Sequence, residues 1–225
     1  MKKVEVHIAA PELDGEKTEV LKLILAQVGI PKTKHFHKVA DYKPITEGCA
    51  NGHDISNPGT MSTVKVESHR EAITLVKNAM QKLRAAGIEG ANFEIEQVIL
   101  PGADDEIKLD TSELGEFSQV PNSPQSENHI LYKGTLDSIP TDAEIINMAR
   151  SIGLEVNQVV DFGYEKTPNK DSVVSRVATF YQPTNKDSMI ADQILRDNLD
   201  KLRNPRVVTE QVLMVGEFVK DALKD

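Results

Sequence analysis

Tryptophan is absent from this chain, and aromatic residues are scarce, with four Tyr and six Phe in 225 positions. Proteins that grip single-stranded nucleic acid stack bases on aromatic side chains, and there is little here to build such a platform from. Positive charge is also short: 26 Lys and Arg stand against 35 Asp and Glu, a formal charge of −9. Binding a phosphate backbone needs clustered cations, so nucleic acid is not an expected partner. A lone cysteine, Cys49, rules out an intrachain disulfide, and a reducing, cytoplasmic compartment is the matching expectation. No run approaches the roughly 20 apolar residues of a membrane-spanning helix. Glu5, Pro11, Glu12 and Asp14 interrupt any apolar leader near the N-terminus. A membrane is therefore not an expected partner either.

Several catalytic signatures are missing too. The chain has no Gly-x-x-x-x-Gly-Lys-Ser/Thr phosphate loop, no Gly-x-Gly-x-x-Gly turn, no Gly-x-Ser-x-Gly elbow and no His-Glu-x-x-His pair. A paired-cysteine zinc site needs more than one cysteine.

What is present is a regular alternation of short strands and helices. Val4, Val6 and Ile8 alternate with Glu5 and His7, the period-2 signature of a strand with one buried face. Val20, Leu21, Ile24, Leu25 and Val28 recur at helical spacing, and Gly29 with Pro31 supplies a stop. Residues 34–40 read as a second strand, 41–60 as a loop and Met61 to Glu67 as a third strand. Ser68 and Glu71 form a capping box for a helix with Ala72, Leu75, Val76, Ala79 and Leu83 on one face. Phe93 and Ile95 alternate with Glu94 and Glu96 in a fourth strand. The acidic, Pro- and Ser-containing stretch 101–128 reads as a linker. The same order then returns: a strand from His129, a helix capped by Thr141 and Glu144, strands near Gln158–Tyr164 and Val173–Tyr181, a helix capped by Thr184, and a closing strand Val207–Val215.

The order β-α-β-β-α-β is the ferredoxin-like motif. The expected fold is therefore α+β, two tandem ferredoxin-like (βαββαβ) units with antiparallel sheets, at 1–100 and 129–225, joined by the linker 101–128. Gly29-Ile30 and Gly153-Leu154 fall at matching points of the two units, as do His7 and His129.

Three groups of residues carry candidate chemistry. If helices cover the face holding Val4, Val6, Ile8, Phe93 and Ile95, the opposite face presents Glu5, His7, Lys65, Glu67, Glu94 and Glu96. From it, His7, Glu67 and Glu94 are candidate acid/base groups, and Lys65 and Glu96 candidate ligand contacts. The alternative for that face is plain solvation, common for antiparallel sheets. Arg176, on an expected central strand, needs an anion or a carboxylate partner and is a further ligand-contact candidate. His35, His37, Cys49 and His53 supply three imidazoles and a thiol, a chemically suitable zinc set at an unfamiliar spacing. The default expectation is no cofactor, with zinc as the alternative. A non-catalytic binding or protein-interaction module is the first functional reading, by fold analogy alone. The others are a small hydrolase or transferase acting on a small polar molecule in a cleft between the units, and a zinc-dependent protein.

Overall fold

The computed structural model describes residues 4–41, 59–98, 117–119, 126–165 and 167–218. The elements run β1 (Val4–Pro11), α1 (Gly15–Gln27), β2 (Thr33–Asp41), β3 (Gly59–Val66), α2 (His69–Ala85) and β4 (Asn92–Val98). They continue with β5 (Phe117–Gln119), β6 (Ser126–Gly134), α3 (Asp142–Ser151), β7 (Gln158–Gly163), β8 (Val174–Gln182), α4 (Asn185–Asp197) and β9 (Arg206–Phe218). Ser126–Asn128, expected in the linker, already belong to β6, and Phe117–Gln119 form a short strand.

Local chemistry sets the helix starts. Asp14, Ser68, Thr141 and Thr184 each accept a hydrogen bond from the backbone N–H three residues on, satisfying one orphan donor of the first turn. Thr141 and Glu144 complete a reciprocal capping box. At α2 the return bond goes one residue further back, from Glu67 N–H to Glu71 Oε2 at 2.9 Å. Gly29 and Gly153 take φ of +93° and +83° just past α1 and α3, which lets Ile30 N–H reach Leu25 O and Leu154 N–H reach Ala149 O.

The strands do not form two separate sheets. They hydrogen-bond in the order β4-β1-β3-β2-β7-β8-β6-β9, and β9 returns to pair with β4, closing an eight-stranded antiparallel barrel, with β5 added along β9. This corrects the expectation of two tandem ferredoxin-like units: the halves interlock as one ring and are not repeated domains side by side. The physical reason lies at the edges. In an open arrangement β2, β7, β4 and β9 would each expose a row of unpaired N–H and C=O groups. Pairing β2 with β7 and β4 with β9 satisfies all four.

Closure sorts the side chains into an outer core and a lumen. Outside, α1 and α2 pack on Val4, Val6, Ile8, Phe93 and Ile95. In the other half, the core beneath the helices holds Ile130, Tyr132, Val159, Ala178 and Phe180 with Ile145, Ala149 and Leu195. Inside, Phe36, Val160, Phe162 and Val177 form a third apolar cluster beside the β2–β7 seam, with Phe36 and Phe162 edge to face at 6.5 Å between centroids. No helix among the described residues is long and apolar enough to cross a membrane.

A closed ring unfolds as one body. Reporters placed on the two halves at exposed positions, Leu23→Trp in α1 and Ile190→Trp in α4, should give coincident denaturation curves. Phe36→Ala should shift both equally, by about 3–5 kcal/mol. Two separated transitions would contradict the closed barrel.

Candidate functional site

The period-2 alternation that aims Val4, Val6 and Ile8 at the helices aims Glu5 and His7 into the barrel. Backbone register does the rest. Glu5 lies opposite Lys65 of β3 and Glu96 of β4, and His7 opposite Thr63 and Glu94. In the other half Glu127 lies opposite Tyr181 of β8 and Glu210 of β9, and His129 opposite Thr179 and Val208. Asn128 fixes the facing of β6 from outside, donating to Ser188 O at 2.9 Å and Thr209 Oγ1 at 2.8 Å. Glu127 and His129, on either side of it, therefore turn inward.

These side chains line a cavity of about 340 Å³. One wall is polar, with Glu5, Glu94, Glu96, Glu127 and Glu210 all buried and both histidines among them. The other is apolar, built from Phe36, Met61, Leu131, Val160, Phe162 and Val177. Lys34 sits over the Phe162 ring at 4.5 Å, a cation–π contact at the edge of the apolar wall.

Each histidine is oriented by a threonine: His7 Nδ1 lies 2.9 Å from Thr63 Oγ1, and His129 Nδ1 lies 3.1 Å from Thr179 Oγ1. Each Nε2 then faces carboxylates. His7 Nε2 is 2.9 Å from Glu96 Oε2, an ion-pair approach not aligned as a hydrogen bond. His129 Nε2 is 3.3 Å from Glu127 and 3.6 Å from Glu210. Lys65 pairs with Glu5.

The electrostatics follow from crowding like charges in a closed space. Burial alone would lower the His7 pKa, but the charge and close contact of Glu96, followed by Glu94 and Glu210, raise it to about 10. His129 moves the other way. Burial depresses it and the positive charge on His7 adds to the effect, against opposing contributions from Glu96 and Glu5. Burial, followed by the charges of Glu94, Glu96 and Glu210, pushes Glu127 well above the usual carboxyl range. Burial does the same to Glu210, followed by Glu96 and Glu5, with a hydrogen bond to Glu96 adding to the rise and His7 opposing it. The lumen thus favours a cation on His7, a neutral imidazole on His129 and the acid forms of Glu127 and Glu210. The polar atoms of Glu96, His129 and Glu210 lie within 4.8 Å of one another, as do those of Glu94, Glu96 and Glu127. A cation would fit that spacing, and the His7 imidazole and the Glu96–Glu210 hydrogen bond lie among the same groups.

Of the residues singled out in the sequence, His7, Lys65, Glu94 and Glu96 meet in this lumen. Glu67 does not: it is exposed just before α2. Arg176 faces the outer layer, where its guanidinium donates twice to Asp161 at 2.6 Å and once to Pro140 O at 2.7 Å. It is therefore held by a protein carboxylate and lies outside the cavity. His35 is buried beside Glu12, Thr18 and Thr60, whereas His37 sits at a register shift in β2 with Nε2 2.6 Å from Glu165 O. Cys49 and His53 lie outside the described residues. Glu127, Glu210 and the apolar wall were missed. The signal lies in Glu127-Asn128-His129, which repeats the Glu-x-His of Glu5-Val6-His7, but the composition of 101–128 reads as a linker that takes in Glu127.

No family model matches the chain, and no curated protein matches it. Among solved structures, the regulatory subunit of aspartate kinase from Thermus flavus is similar at 13% identity and a TM-score of 0.33, over 89% of this chain and 93% of that one. A protein of unknown role from Galdieria sulphuraria is similar at 9% identity and 0.27, over 94% and 98%. An anthrone oxidase-like protein is similar at 7% and 0.25, over 95% and 92%. Similarities this low carry no argument about the chemistry of the lumen.

The shifted groups make stability depend on pH. Glu127 and Glu210 hold protons in the folded state that they release when unfolded above about pH 4.5, and His7 does the same between 6.5 and about 10. Their contribution is complete below those lower limits and is lost as pH rises. His129, with its lowered value, opposes this only below 6.5. The melting temperature should therefore fall as pH rises from 6.5 toward about 10, and Glu127→Gln or Glu210→Gln should remove the part of the fall that begins above about pH 4.5. A profile that rises with pH in the wild type would refute the protonated lumen.

Proposed function

We propose that the barrel lumen binds a small organic molecule with an apolar body and a polar head, and carries out acid–base chemistry on that head. The observation that supports this is the convergence of His7, His129 and five buried glutamates on one wall of a single cavity whose opposite wall is apolar. The volume falls in the usual range for ligand sites of roughly 300–1,000 Å³. Groups driven to unlike protonation states within one cavity are what general acid and base catalysis requires near neutral pH.

This reading replaces the interaction module as the first choice, because the polar sheet face is enclosed by the ring and is not offered flat to a partner. The cleft enzyme of the sequence reading survives in altered form, its site inside the barrel. A zinc protein using His35, His37, Cys49 and His53 is not pursued, since Cys49 and His53 lie outside the described residues and His37 Nε2 lies against Glu165 O.

The test is a fragment screen on the full chain by thermal shift and methyl NMR. Compounds with a flat apolar body and one polar head should raise the melting temperature and move the methyl signals of Leu131, Val160 and Val177. Val177→Trp, which fills the cavity from the apolar wall, should abolish both effects in a protein that still melts cooperatively. Hits whose binding survives Val177→Trp would place the ligand elsewhere and defeat the proposal.

A further inference from the structure

The two histidines occupy corresponding places in the ring, each on the first long strand of its half and each opposite a threonine, yet their surroundings differ at two register positions. Opposite His7 on β4 is Glu94, whereas opposite His129 on β9 is Val208. Opposite Glu5 on β3 is Lys65, whereas opposite Glu127 on β8 is Tyr181. One histidine therefore stands between Glu94 and Glu96, and the other has an aliphatic neighbour in place of a carboxylate. One strand-borne glutamate has an ammonium partner, and the other has none at the matching position.

We infer that His7 and His129 form a divided acid/base pair, in which His7 gives a proton and His129 takes one, acting on an enolisable carbonyl compound held against the apolar wall. The inference rests on the reading of the lumen as a small-molecule site and specifies its substrate class. Around His7 the facing groups are Glu5 on its own strand, Thr63 and Lys65 on β3, Glu94 and Glu96 on β4, Glu210 on β9 and His129 on β6. Around His129 they are Glu127 on its own strand, Thr179 and Tyr181 on β8, Arg206 and Glu210 on β9, and Glu5, Glu96 and His7 across the lumen. Glu96 at 2.9 Å from His7 Nε2, with Glu94 opposite on β4, favours a cation there, and the charge on His7 then opposes a second cation on His129, whose own carboxyl neighbours Glu127 and Glu210 stand further off at 3.3 and 3.6 Å.

A carbonyl compound fits these parts. An uncharged apolar body suits Phe36, Phe162 and Val177, and an oxygen gaining negative charge is stabilised by donors fixed in advance in a closed site. In the step, the proton on the carbon next to the carbonyl passes to His129 Nε2 and the C–H electron pair becomes a C=C bond. The carbonyl oxygen takes the proton from His7 Nε2, leaving an enol. Return of a proton from His129 to the same carbon, with the enol proton going back to His7, re-forms the carbonyl, exchanges one hydrogen with solvent and restores both histidines. No oxidant, reductant or co-reactant enters.

Imidazole nitrogen NMR on the full chain, with the two signals assigned through His7→Gln and His129→Gln, tests the division without any ligand. His7 should remain cationic beyond pH 8 while His129 is neutral at pH 7. Glu94→Val should lower the first titration and Val208→Glu should raise the second, so one misfolded variant leaves the other to decide. Deuterium uptake into phenylacetone tests the class: it should exceed the buffer rate by about a hundredfold and vanish in His129→Gln. Histidines that titrate together near 6.5 would overturn the inference. Phenylacetone that shifts the lumen methyls without exchanging would also overturn it, yet leave the small-molecule reading standing. Failure of every fragment to enter the lumen would bring down both.

Discussion

Two edge-to-edge pairings, β2 with β7 and β4 with β9, turn what would be two half-solvated sheets into a ring, and most of what is distinctive in this protein follows from them. A sheet face that water could have covered becomes a lumen wall. Glu5, Glu94, Glu96, Glu127 and Glu210 lose their solvent together. Carboxylates crowded in a closed space cannot all stay ionised, and the structure answers with local partners: Lys65 for Glu5, the His7 cation for Glu96, and retained protons on Glu127 and Glu210.

The cost of burying such groups is the part of the fold that packing alone does not explain. Apolar residues at the same positions would give a tighter barrel, since a buried ionic cluster is often no more stable than a hydrophobic replacement of similar volume. The outer layers show the alternative: α1 and α2 sit on an ordinary core of Val, Ile, Leu and Phe. The same chain thus builds a conventional core outside the barrel and a polar cavity inside it. That contrast underlies the functional reading, because perturbed titrating groups gathered in a cavity are characteristic of sites that do chemistry.

The strand and helix pattern was legible in the sequence because its causes are local. Caps at Ser68, Thr141 and Thr184 and alternation at Val4–Ile8 and Phe93–Glu96 depend on neighbours a few residues away. The inward face was legible for the same reason, and His7, Lys65, Glu94 and Glu96 were picked out from it. Ring closure was not, because edge pairing is made by backbone N–H and C=O groups that every residue carries, and nothing in the side chains of β2 or β9 names the partner. Missing closure turned the lumen into a solvated surface. It also separated His7 from His129, whose shared cavity exists only once the halves interlock. Arg176 was correctly seen to need an anion, but a period-2 pattern does not say that Asp161, fifteen residues earlier on β7, would be beside it.

Infrared spectroscopy of the full chain gives the most direct test of a closed lumen that holds carboxyls in mixed protonation states. Protonated buried carboxylic acids absorb apart from carboxylates. The account predicts such a band at pH 7, diminished in Glu127→Gln and in Glu210→Gln and unaffected by Glu67→Gln on the exterior. A wild-type spectrum at pH 7 showing carboxylates only would contradict it.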